Sequence, residues 1–127
     1  SKTLTISWIT PYLAVGDEVD ASLRSELLKA GITITVDVRK CFGEDMNPIV
    51  KEIDNLMYVL PHYNYLEGNK MLFHCQGGID RSPFIAAMYI WHSWRGDETV
   101  QLIDHYEAVK KARPQTMIHD EWVRMFE

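Results

Sequence analysis

The stretch KMLFHCQGGIDRSPFIAAMYIWHSWR, residues 70–95, decides the fold. Its first five residues, KMLFH, are short and mostly apolar, which reads as a buried strand. Residues 83–95 (PFIAAMYIWHSWR) are apolar nearly all round, which reads as a helix buried on most faces. Pro83 suits the first turn of that helix, and Gly96 is expected to end it. Between strand and helix lies a loop with two glycines, Gly77 and Gly78. Strands alternating with helices, followed by a run of helices, belong to a sheet covered by helices.

The alternation extends upstream. Residues 4–15 (LTISWITPYLAV) read as two short extended pieces interrupted by Pro11, and Gly16 and Asp17 turn the chain. Residues 20–30 (DASLRSELLKA) predict a helix with Leu23, Leu27 and Leu28 on one side and Gly31 as its stop. ITITVDV, residues 32–38, is rich in β-branched residues and reads as a strand. CFGEDMNP, residues 41–48, reads as a loop, Ile49 to Leu56 as a short helix, and MYVL, residues 57–60, as a further buried strand. Downstream, Asp97 is expected to cap a helix that ends near Ala112, ahead of Pro114. A last helix from about Ile118 to Phe126 turns Trp122, Val123 and Phe126 inward. The expected fold is α/β, a central mixed, mostly parallel sheet of about four to five strands flanked by helices. Residues 1–127 are expected to form a single domain.

Composition narrows the function. Apolar residues make up 46% and charged residues 24%, which excludes disordered, collagen-like and coiled-coil classes. The net charge is −5 and no basic stripe is visible, so no nucleic-acid partner is expected. The longest mostly apolar run, Phe84 to Trp94, falls far short of the ~20 residues that span a bilayer, so no membrane partner is expected either. Two cysteines, Cys41 and Cys75, do not make a disulfide scaffold. With no signal peptide in view, a cytoplasmic, reducing location is the expectation, and a monomer the expected state. Any anion this chain holds must be held locally, against the sign of the whole molecule.

The segment Cys75–Ser82 offers such a local site. The first N–H groups of a helix lack internal partners, and the helix dipole favours negative charge there. Gly77 and Gly78 let the backbone turn its amides toward one point. The phosphate-binding residues are therefore expected to be Gln76, Gly77, Gly78, Ile79, Asp80 and Arg81, with Arg81 adding a bidentate fork. Cys75 sits at the mouth of the cradle, where such donors lower a thiol from about 8.5 into the range ~3.5–7.5. Cys75 is then a nucleophile without a separate base, and Ser82 can donate its hydroxyl to the departing thiolate. No metal or other cofactor is called for. The alternatives are a buried inert thiol for Cys75 and a surface ion pair for Arg81. His74 reads as a supporting residue whose ring hydrogen-bonds the loop backbone, since no second ligand stands at zinc-like spacing. Cys41 reads as a packing residue or a redox partner for Cys75. His62, His92, His105 and His119 read as packing or surface residues.

The pattern H74-C75-x5-R81-S82 resembles the signature of cysteine-dependent phosphatases of the dual-specificity and protein-tyrosine type. The opening (TPYLAVGD, a helix, then GITITVDVR) is similar to that family's first strand, helix and second strand. The end (ARPQTMIHDEWVRMF) is similar to its arginine–proline segment and closing helix. The resemblance implies a phosphomonoester hydrolase acting on phosphotyrosine, and on phosphoserine or phosphothreonine, through a phosphocysteine intermediate. Its partner would be a phosphorylated protein or peptide. A phosphoinositide or RNA 5′-phosphate phosphatase, and a phosphate-binding module with little turnover, are the competing readings.

One feature departs from the family. Its general-acid aspartate lies on a separate loop after a strand resembling MYVLP, and laid along that strand the position belongs to Asn64. Asparagine donates no catalytic proton. The interval from Asn64 to Cys75 also leaves no room for a helix, a turn and a strand. Either the chain is trimmed and lacks the usual acid, or a stretch is missing between Tyr63 and Leu66. If the chain is continuous, Asp80 is the candidate substitute acid, a position at which myotubularin-type phosphatases resemble this chain in having an aspartate; the alternative is that Asp80 faces solvent or pairs with a loop amide, and Asp45 and Asp54 are weaker candidates.

Overall fold

The structure, a computed structural model, describes residues 3–67, 69–93 and 99–127, with residues 61–67 described by their backbone. Four strands form one sheet in the order β1-β2-β4-β3: β1 (Ser7–Thr10), β2 (Leu13–Gly16), β3 (Ile32–Asp37) and β4 (Lys70–His74). β1 runs antiparallel to β2, while β4 is parallel to both β2 and β3. The expected mixed, mostly parallel sheet is therefore present, with four strands.

Side-chain alternation builds a core on each face of the sheet. Leu13, Val15, Met71 and Phe73 point to one face, and Ala14 and Leu72 to the other. The second face packs against Leu27 of α2 (Arg24–Lys29), which follows the short α1 (Glu18–Ser22). The single helix expected over 20–30 is thus two, broken at Leu23. Asp17 caps α1, and its partner in the capping box is Asp20, which is itself buried.

The first face carries the larger core. It packs against α3 (Val50–Glu67), α4 (Arg81–Ser93), α5 (Leu102–Ala112) and α6 (Asp120–Arg124). α4 is buried without interruption from Ser82 to Tyr89, as its all-round apolar sequence requires. Gly96 and Asp97 lie outside the described residues; α5 starts at Leu102, with Gln101 and Asp104 forming its capping box. Trp122 and Val123 of α6 are buried, and Phe126 packs against the core just beyond its end.

One expected element is overturned. MYVL is not a strand: residues 57–60 lie inside α3. The buried positions are Ile53, Met57 and Leu60, spaced by four and three, while Tyr58 is 86% exposed. That is helical periodicity, and a strand would have placed Tyr58 and Leu60 on the same face. The helix passes continuously through Pro61, Asn64 and Tyr65 to Glu67, so no stretch is missing between Tyr63 and Leu66. The chain is not a helix short. The connection from β3 to α3 consists of a 3-10 turn (Val38–Cys41) and a tight loop. In that loop Gly43 N–H donates to Asn47 O at 2.9 Å, and Met46 N–H to Gly43 O at 3.0 Å. Asn64 consequently occupies a helix, not an acid-bearing loop.

Candidate active site

The site forms where the central strand β4 meets the N-terminus of α4. Side chains and amides at the C-terminal end of a parallel strand converge on the space above the sheet. Cys75 follows β4 directly and is buried. Its Sγ accepts a hydrogen bond from Gly78 N–H at 3.3 Å and lies 3.3 Å from Ser82 Oγ. Ser82 is fully buried in the first turn of α4. Three of the residues singled out by sequence are therefore brought together around one sulfur atom. Arg81 starts α4, and among the described residues it forms no ion pair.

The loop is gripped from outside. Gln76 O accepts from Glu18 N–H at 3.1 Å, Gly78 O from Arg113 Nε at 2.6 Å, and Ile79 O from Met117 N–H at 2.9 Å. In a planar trans peptide the N–H points opposite to the preceding C=O. The amides of Gly77, Ile79 and Asp80 therefore face away from those partners and are spared for another acceptor. The two glycines differ in necessity. Gly78 has φ +65°, and a Cβ there would stand 2.6 Å from the Arg113 guanidinium and 2.7 Å from Gly16 O. A Cβ on Gly77 would meet only the Ile79 side chain, at 3.6 Å.

Arg113 was not singled out by the sequence, although it begins the arginine–proline segment. It is 2% exposed, and beyond Gly78 O it reaches Thr5 O at 3.0 Å, Ser7 Oγ at 3.1 Å and Val15 O at 3.2 Å. One side chain thus ties the N-terminal segment, β1, β2 and the loop together. Burial lowers its pKa, and the charges of Asp20 and Asp17 act in the opposite sense.

Asp80 also has a partner that the sequence did not reveal. Its Oδ1 lies 2.8 Å from His119 Nε2, and His119 Nδ1 lies 3.2 Å from Glu121 Oε1. The His119 ring stacks on Trp122 with centroids 3.9 Å apart and planes 15° apart. His119 is thus a contact of the loop itself, not a plain surface residue.

The other expected residues divide. His74 is buried, and its Nδ1 has no hydrogen-bond partner among the described residues, so the expected bond to the loop backbone is not seen at that atom. Burial pushes the His74 pKa down. Asp45 accepts two hydrogen bonds from Asn47, which hold its carboxyl below the ordinary range. Cys41 is buried in the core with its thiol pushed up to about 11 by burial. Both cysteines are free. Among the described residues no His/Cys/Asp/Glu group could hold a metal ion. A groove of about 340 Å³ between α2 and β3, lined by Arg24, Leu28 and Thr35, contains none of these site residues.

No protein-family profile matches the chain. Among curated proteins it is similar to the tyrosine-protein phosphatase vhp-1 of Caenorhabditis elegans, 31% identical over 127 residues, covering 86% of this chain and 19% of the relative. It is likewise 31% identical over 81 residues to protein 123R of Invertebrate iridescent virus 6, which carries a tyrosine-phosphatase name, covering 64% of this chain and 51% of that one. The chain is thus similar to proteins named as tyrosine phosphatases. It spans about a fifth and about half of the lengths of these two relatives. The fold agrees: a mouse protein of the dual-specificity phosphatase type, solved as a complex with zinc tungstate, superimposes with TM-score 0.79 at 18% identity, covering 100% of this chain and 89% of that one. Among the described residues, no helix is long and apolar enough to cross a membrane.

Proposed function

We propose that this chain hydrolyses phosphomonoesters, with phosphotyrosine and phosphoserine or phosphothreonine in proteins or peptides as its substrates. The observation that carries this reading is the position of Cys75 Sγ at the head of α4, between Gly78 N–H and Ser82 Oγ. Cys75 attacks phosphorus in line, so an S–P bond forms as the P–O bond to the leaving group breaks. Arg81 and the amides of residues 76–81 hold the equatorial oxygens, whose charge is met by donors already in place. Water then attacks phosphorus, the S–P bond breaks, and Ser82 donates a hydrogen bond to the departing thiolate. The leaving oxygen takes its proton from solvent and the attacking water's proton goes to the phosphate product; residues 75–82 supply the nucleophile and the hydrogen-bond donors of the cycle.

The tungstate complex of the mouse neighbour supports the reading, since tungstate is a tetrahedral oxyanion. The −5 net charge favours small or peptide-borne phosphates over nucleic acid. Two free cysteines suit a reducing, intracellular setting. A second reading, a phosphate-binding module with little turnover, is favoured by the placement of Asn64 inside α3 and not on a loop. Rates against a phosphotyrosine peptide, a phosphothreonine peptide and a phosphoinositide, with Cys75→Ser as control, decide between them. Peptide turnover lost in Cys75→Ser supports the hydrolase. Retained phosphopeptide binding with no turnover supports the binding module, and preference for the phosphoinositide supports a lipid substrate.

A further inference from the structure

We propose that His119 is a positioning residue of the phosphate loop, which cancels the charge of Asp80 so that the loop can accept a phosphate dianion. The proposal rests on reading residues 75–82 as a phosphate-binding loop, and not on turnover. Asp80 is the fifth residue after Cys75 and directly precedes Arg81. An uncompensated carboxylate there opposes an incoming dianion and competes for the Arg81 guanidinium.

The geometry places a basic side chain against Asp80. Asp80 Oδ1 and Glu121 Oε1 lie 2.8 Å and 3.2 Å from the two ring nitrogens of His119. Carboxylates only accept, so both contacts are hydrogen bonds when both ring nitrogens carry hydrogen. The ring is held in plane by its stack on Trp122, and its backbone N–H donates to the Tyr106 hydroxyl at 3.2 Å. The two side chains are 25% and 32% exposed, which limits screening of the pair by salt. The C-terminal segment therefore clasps three consecutive loop residues: Arg113 at Gly78, Met117 at Ile79 and His119 at Asp80. The first two contacts shape the loop, and the third sets its charge. This role for Asp80 is different from the substitute acid expected for it.

The test measures tungstate binding by calorimetry, together with kcat and KM for an aryl phosphate, in wild type, His119→Gln, Asp80→Asn and the double variant. His119→Gln should weaken tungstate about tenfold and raise KM by a similar factor, with kcat changing less than about threefold. The double variant should return to within about threefold of wild type, because the charge that needed cancelling is gone. A residue needed only for folding would not be rescued in this way. Binding changed by less than about threefold in His119→Gln, or a double variant as weak as His119→Gln, overturns the proposal. His119→Asn serves as a second variant if His119→Gln melts early. Tungstate following this pattern while no protein turns over the ester would leave the inference standing and sink the hydrolase reading. Turnover in wild type with tungstate indifferent to His119 would do the reverse.

Discussion

Gly78 and Gly77 stand side by side in the loop and are unlike in what they tolerate. An alanine at Gly78 must adopt a left-handed backbone, at a cost of about 1–2 kcal/mol, before its methyl meets the Arg113 guanidinium and Gly16 O. Gly78→Ala is therefore expected to lower the melting temperature and abolish oxyanion binding. Gly77→Ala should retain both, since its methyl meets ordinary contacts. Thermal melting and tungstate titration of the two variants check this pair, and equal damage from both would refute the assignment. The two cysteines differ as well. Cys41 is buried and its thiol is pushed up to about 11, so it offers no thiolate near neutrality. In a Cys75→Ser background, iodoacetamide at pH 8 should leave the native protein unlabelled and label Cys41 only after denaturation. Labelling of the native protein would reopen the redox-partner reading for Cys41.

At the scale of elements, the 18-residue helix α3 is the part of the chain that departs most from expectation. Met57→Ala should cost about 2–5 kcal/mol, because Met57 fills the core, whereas Tyr58→Ala should lie within about 0.5 kcal/mol of wild type. Denaturant midpoints of the two variants check this, and a strand would give the reverse weighting to Tyr58. Much of the rest was legible because local pattern and tertiary environment agree. ITITVD is β-branched and pairs with β4; KMLFH is apolar and central; PFIAAMYIW has no polar face and is enclosed. MYVL misleads because a short apolar run cannot by itself distinguish a strand from a helix segment, and Pro61 looks like its end. The candidate site was legible only where its parts are contiguous. Cys75, Gly78 and Ser82 lie within eight residues of chain. Arg113 reaches Gly78 across 35 positions and His119 reaches Asp80 across 39, so only the folded chain reveals them. The one hint was the arginine–proline dipeptide at 113 and 114, which marks a helix end and not a partner.

Taken whole, the molecule should lose stability steadily as pH falls. His74 and His105 have pKa values lowered from 6.5 by burial, so the folded state disfavours their charged forms. Below about 6.5 the unfolded chain binds more protons than the folded one, and stability drops. Asp37 is held below the ordinary range chiefly by its hydrogen bond from Arg39. Its contribution is present above 3.8 and is lost as pH falls through the lower folded value. Both classes act in the same direction, in successive windows. Melting temperature measured from pH 7.5 to 3.5 should therefore decline first near 6.5 and again below about 4, and a rise between 7 and 5 would contradict the burial of these histidines. On the proposed reading the net charge of −5 does not conflict with anion binding, because backbone amides, a helix N-terminus and Arg81 would hold the phosphate locally, whatever the whole molecule's sign. The central claim is that Cys75 carries the phosphoryl group. Rapid acid quench during aryl phosphate turnover, followed by peptide mass spectrometry, tests it most directly. The account requires a phosphoryl increment on the peptide bearing Cys75, lost together with turnover in Cys75→Ser; turnover that survives in Cys75→Ser, or that proceeds with no phosphoryl group on Cys75, would contradict it.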